Sequence, residues 1–205
     1  MPSAIPTRHR RAASKKLPRS FYAREAEALA HDLIGMILVH RVVDKQLGGR
    51  ELRGRIVETE AYVGCHDLAC HAAKGRTART EVMFGEPGHA YVYLIYGIHD
   101  MLNIVSGDVG IAQAVLVRAA EPLDGWDANL SGPGNLAKGF GITRRIHNGI
   151  DLTGDELFLL DRATASPPRI VRTRRIGVDY AEQWKDAPLR FIDADSPKVS
   201  RPKFK

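Results

Sequence analysis

Cysteine is nearly absent: Cys65 and Cys70 are the only two in 205 residues. Two thiols make no disulfide framework, so a reducing compartment is expected and both are read as free. Long apolar runs are missing as well. None approaches the roughly 20 residues that cross a bilayer, and the first residues are basic and polar where a secretory leader is apolar. The expectation is a soluble, intracellular chain with no membrane partner. Repeats and low-complexity tracts do not occur either. What remains, an apolar fraction of 44%, suffices for one sizeable core and favours a single domain.

Acidic residues are lacking at both ends. Residues 1–20 carry six Arg or Lys and no acid, and residues 198–205 carry four more. Taking these ten from 30 leaves 20 basic residues against 24 acidic ones, so the body is formally −4. Basic ends attract polyanions without reading sequence, and they also serve solubility. The expected organisation is a flexible basic arm over 1–19, one domain over 20–200 and a basic tail over 201–205. Within the body, Arg169, Arg172, Arg174 and Arg175 form a run that fits phosphates or one wet strand face.

Helices and hairpins mix without regular βαβ spacing, which predicts an α+β fold with an antiparallel-rich sheet. Tyr22–Ile34 has helical composition, with Ser20 as its cap and Gly35 as its stop. Strands are predicted over 36–43, 51–60, 90–96, 101–105 and 112–119. A helical turn is expected over 67–73, and a short helix from Gly132-Pro133-Gly134 to Gly141.

Glu58 and Glu60 lie two apart in a strand, so both carboxylates point to one face. Crowded carboxylates need a cation, and Arg118, near the end of a later apolar strand, is the candidate. Such a group is either a structural ion cluster or a catalytic one. Tyr62 follows Glu60 as a flat platform, an arrangement suited to a planar ring such as a nucleobase. Tyr91 and Tyr93 share a strand face, with Tyr91 read as core. Tyr96 has the opposite parity and sits at the Gly97 turn, where it can project. The segment Cys65-His66-Asp67-Leu68-Ala69-Cys70-His71 spaces Cys and His five apart, but zinc sites pair ligands as CxxC or HxxxH and no second cysteine pair exists. A zinc hydrolase built there is the weaker alternative, and no metal or cofactor is expected. His71 is better used as a ring.

The strings Gly54-Arg55-Ile56-Val57-Glu58-Thr59-Glu60-Ala61-Tyr62 and 83–97 (MFGEPGHAYVYLIYG), with 102–105, 115–123, 131–134 and 188–191, closely resemble the alkyladenine DNA glycosylase family, the 3-methyladenine glycosylases of the mammalian type. The match runs from about 26 to 200, in order. The resemblance implies a curved sheet with flanking helices, like the C-terminal module of formyltransferases. It also implies a monofunctional repair enzyme that flips an alkylated or deaminated purine from duplex DNA and hydrolyses its bond to deoxyribose, leaving an abasic site. By the same resemblance Glu60 is the general base and Arg118 holds the water. Tyr62 and His71 form one wall of the base pocket, Tyr93 forms the other, and Asn103 helps exclude undamaged bases. Tyr96 is the wedge that fills the gap in the duplex. A monomer bound to damaged double-stranded DNA follows; a non-catalytic nucleic-acid-binding module of the same fold is the alternative. The chain departs from the family pattern at Ala78 and Thr80, at Cys65 and His66, and at Asp100, which sets a negative charge near the wedge.

Overall fold

The computed structural model describes residues 15–44, 48–162 and 167–201. Eight strands form one antiparallel sheet: β1 (Ile37–Asp44), β2 (Gly48–Tyr62), β3 (Ala90–Ile95), β4 (His99–Ser106), β5 (Gln113–Pro122), β6 (Leu157–Leu160), β7 (Ile170–Thr173) and β8 (Arg190–Asp193). The path runs β3-β4-β5-β2-β1-β6, with β8 paired to β2 and β7. Among the described residues four short α-helices accompany it, α1 (Arg19–Tyr22), α2 (Ala26–Asp32), α3 (Pro133–Phe140) and α4 (Arg144–His147), with three 3-10 turns at His71–Lys74, Glu81–Phe84 and Glu182–Asp186. This is the expected α+β, single-domain, antiparallel class. Among the described residues no helix is long and apolar enough to cross a membrane.

Strand alternation decides which residues serve the core and which serve the other face. Ala90 and Val92 join the main core with Leu102, Ile104, Val115 and Val117. Tyr91 and Tyr93 turn to the opposite side with Val105 and Ala114. The main core is closed by α2, which buries Ala26, Leu29 and Ala30, and by α3, which buries Leu136, Ala137 and Phe140. α3 follows its sequence signals, with Pro133 in the first turn and Gly141 left-handed at φ 69° beyond the end.

Strand ends shift by up to three residues from expectation, and two larger differences have a cause in the packing. The helix predicted over 22–34 breaks into α1 and α2, because Gln113 reaches across from β5. Its Oε1 accepts the Ala26 N–H at 2.7 Å and its Nε2 donates to Glu25 at 2.7 Å. A donor at the start of α2 is thus satisfied from 87 residues away. The arm, set at 1–19, also ends too late. Leu17 is buried and its N–H donates to Leu159 O at 2.9 Å, while Arg19 pairs with Asp151 at 2.6 Å. Residues 1–14 and 202–205 lie outside the described residues.

Gly88 holds φ +80°, and a Cβ there would stand 2.7 Å from a ring carbon of Tyr22, which is fully buried. Left-handed strain costs about 1–2 kcal/mol and overpacking about 1–3 kcal/mol more. Gly88→Ala is therefore expected to lose about 2–5 kcal/mol of stability, read from the urea unfolding midpoint.

Candidate active site

β2 changes neighbours near its end, and the site is built there. β1 covers its first half, and by Glu58–Glu60 the strand lies between β5 and β8. Two bulges mark the change. Ile56 faces Ala120 while Glu58 faces Ala119, which makes Val57 an extra residue; Thr59 then faces Val117, which makes Arg118 an extra residue on β5. A bulge re-aims the side chain it carries, and here it turns Arg118 onto both glutamates.

Arg118 Nε donates to Glu58 Oε1 at 2.8 Å, and its Nη1 lies 3.3 Å from Glu60 Oε1. Glu58 also accepts from Arg190 Nε at 2.7 Å, from the Ser200 hydroxyl at 2.8 Å and from the Ser200 N–H at 2.6 Å. Burial alone would raise the Glu58 pKa. Arg118, Arg190 and the Ser200 hydrogen bonds outweigh it and hold the carboxyl below its ordinary range. Burial likewise works against the charge on Arg118, and Glu60 and Glu58 keep its pKa above the ordinary value. The two carboxylates share one face, as their spacing predicts.

Glu60 is fully buried. Its Oε1 accepts the Ile176 N–H at 2.8 Å, and its Oε2 accepts the Tyr62 hydroxyl at 3.0 Å. Burial, followed by the Glu60 charge, raises the Tyr62 pKa, so the phenol stays a donor. Tyr62, Arg118 and Ile176 all line a cavity of about 360 Å³, within the range of small-ligand clefts. Glu60 itself stands one layer behind that wall, not on it.

Tyr91, Tyr93, Asn103, His71 and Tyr96 line the same cavity. The arrangement of its rings differs from the expected slot. His71 packs edge-on to Tyr93, with centroids 4.5 Å apart at 80°, so these two form one corner rather than facing walls. His71 Nδ1 lies 2.9 Å from the Tyr91 hydroxyl and its Nε2 lies 3.3 Å from Arg79. Burial first, then Arg79 and Lys74, lower the His71 pKa to about 4. Near neutrality the ring is uncharged. Asn103 donates its amide to Tyr91 O at 3.2 Å. Tyr96 stands at the β3–β4 turn, 87% exposed, with φ 53°.

A family model described as methylpurine-DNA glycosylase matches residues 20–197. The chain belongs to this family. Among its relatives, a protein of Anaeromyxobacter sp. (strain Fw109-5) named "Putative 3-methyladenine DNA glycosylase" is 50% identical over 188 residues, covering 91% of this chain and 93% of the relative. One of the same name from Myxococcus xanthus (strain DK1622) is 50% identical over 187 residues, covering 90% and 93%. Another from Legionella pneumophila (strain Lens) is 44% identical over 187 residues, covering 91% and 99%. The protein is a DNA glycosylase, a repair hydrolase that acts on DNA.

Other glycosylase residues were invisible to pattern reading. Arg175 pairs with Asp67 as a fully buried, two-pronged bridge and lies 4.8 Å from the centroid of the Tyr62 ring. That bridge fixes the loop whose next residue, Ile176, holds Glu60. No sequence signal marks it, since the partners are 108 residues apart. The rest of the arginine run is divided. Arg172 pairs with Glu27 and Arg169 with Asp195, while Arg174 is exposed. Asp100, four residues after Tyr96, accepts the Arg144 N–H at 3.1 Å and so caps α4. Thr80, the family departure, closes its own loop by donating to Gly75 O at 3.0 Å.

The Cys65–His71 segment does not gather as a metal site. Cys65 is exposed, Cys70 is buried with its thiol pushed up to about 11, and His66 turns to Trp184. Among the described residues, the group with ligand atoms close enough to share an ion is His40, His147 and Glu156. Its donors are already used. Thr143 N–H donates to His147 Nδ1 at 3.0 Å, the two Nε2 atoms meet at 3.3 Å, and His40 Nδ1 meets Phe140 O at 2.6 Å. Hydrogen bonding accounts for the pair.

The lowered His71 pKa sets a pH dependence. Above 6.5, its ordinary value, the ring is neutral folded and unfolded. As pH falls from 6.5 to about 4 the unfolded chain takes the proton first, so stability drops across that window. His71→Gln is expected to flatten the decline, read from urea unfolding at pH 7.5 and 4.5.

Proposed function

We propose that this glycosylase extrudes an alkylated or deaminated purine from duplex DNA and hydrolyses its bond to deoxyribose. The observation that carries this reading is the double link from Glu60 to the cavity: both Tyr62 and Arg118, which line it, bond the buried carboxylate. A planar base on Tyr62 and beside Tyr93 places its sugar bond near that link. Water then replaces the Tyr62 hydroxyl at Glu60 Oε2, with Arg118 as its second partner. Glu60 takes the proton, the water oxygen bonds to C1′, and the pair of the broken C1′–N bond leaves with the purine. The same negative charge steadies an oxocarbenium-like transition state. A purine alkylated at ring N3 or N7 is cationic and leaves as a neutral base, whereas a deaminated one leaves as an anion that takes up, through solvent, the proton Glu60 removed from water. No lysine attacks the sugar, and an abasic site remains.

Extrusion costs a few kcal/mol. Stacking on aromatic rings returns roughly 1–3 kcal/mol per base, and Tyr96 fills the vacated space. Asn103, pinned to Tyr91 O, stands as the fixed edge that a wrong base meets. The enzyme acts as a monomer. Its basic ends, residues 1–14 and 202–205, add sequence-independent attraction to phosphate.

Glu60→Gln is expected to reduce single-turnover excision from a hypoxanthine or methyladenine duplex by roughly 10²–10⁴-fold. Binding of an abasic-analogue duplex should hold. Retained turnover would remove Glu60 from this role. Tyr96→Gly separates wedge from scaffold: it relieves a left-handed side chain worth about 1–2 kcal/mol, so the unfolding midpoint holds or rises while excision falls.

A further inference from the structure

Tyr96 is not the only exposed ring at the cavity. Tyr180, in the loop after β7, lines the same cavity and is 68% exposed. Side chains of this size are exposed on a fixed surface at a cost, and the loop here is fixed. Val178 and Ala181 on either side are buried against Ala69. Arg175 anchors the loop to Asp67, and the Ile176 N–H ties it to Glu60. The Tyr180 hydroxyl reaches Ala69 O at 3.4 Å, a long bond, and most of the side chain stays in solvent.

We propose that Tyr180 is a second aromatic contact for DNA, stacking on the nucleotide next to the extruded one in the same strand. The inference rests on the base-extrusion reading above. Tyr96 projects from the hairpin on β3 and β4, whereas Tyr180 comes from the loop that holds Glu60. A base seated inside draws its strand across the opening that these two rings share. One ring serves the gap in the duplex. The other meets the neighbour of the drawn nucleotide, whose face has lost a stacking partner. Charge does not supply this contact, since the exposed residues of the same loop, Arg174 and Lys185 against Asp179, Glu182 and Asp186, carry no net positive charge. Ring stacking does.

The test uses the full chain with Tyr180→Leu and Tyr180→Phe. Each binds duplexes holding an uncleavable abasic analogue with 2-aminopurine on its 5′ or its 3′ side. Wild type and Tyr180→Phe are expected to quench the fluorophore on one of the two sides. Tyr180→Leu should lose that quenching and bind about tenfold more weakly, about 1.4 kcal/mol, within the range of one base–ring stack. The salt dependence of binding should stay unchanged, because no phosphate contact is removed. Wild-type quenching and affinity in Tyr180→Leu would overturn the proposal. So would equal damage in Tyr180→Phe, which points to the hydroxyl tether, or a shallower salt slope, which points to charge. Failure of the base-extrusion reading shows separately, as a wild-type enzyme that releases no base; the binding assay needs no turnover and still reads Tyr180.

Discussion

Four buried charges meet where β2 passes between β5 and β8. Glu58, Glu60, Arg118 and Arg190 sum to zero, and their side chains are almost wholly removed from water. Removing one partner of a buried ion pair typically costs about 3–5 kcal/mol, because it strands the other charge. The carboxylate proposed as the base is therefore also part of the scaffold. Glu58 divides the burden: it takes the firmest bonds of Arg118 and Arg190 and leaves Glu60 with a longer arginine contact and two single donors. One glutamate is saturated, and its neighbour keeps capacity for a ligand.

The cavity wall continues this division of roles. Tyr62 is a ring toward the cavity and a hydrogen-bond donor toward Glu60, with Arg175 near its ring. Tyr91 is packing for the sheet and an anchor for His71 and Asn103. Tyr62 is held from behind by Glu60, and Tyr91 ties His71 and Asn103 together within the wall, so these residues are fixed before a ligand enters. The aromatic corner of His71 and Tyr93 is likewise fixed, with the imidazole neutral at ordinary pH.

Much of this was legible in the sequence. Alternation in 90–96 assigns Ala90 and Val92 to one face and Tyr91 and Tyr93 to the other, and the packing follows it. The i, i+2 spacing of Glu58 and Glu60 puts both on Arg118. What pattern reading misses is set by partners distant in sequence. Gln113 breaks a helix that local propensity would continue, and the twin bulges at Val57 and Arg118 arise from pairing rather than composition. The Arg175–Asp67 bridge joins segments that carry no mark of one another. The position of Glu60 behind the wall, and of His71 beside Tyr93, depends on those same long-range choices.

Ser200 clasps Glu58 through both its backbone and its hydroxyl, and it stands at the far end of the described chain. Arg190 supplies one of the two positive charges that neutralise the buried cluster, and Ser200 adds two neutral hydrogen bonds. During synthesis on the ribosome, the sheet strands up to β5 emerge well before either residue leaves the exit tunnel. The nascent protein thus holds its two glutamates without these later partners, and the centre is complete only once β8 and Ser200 have emerged.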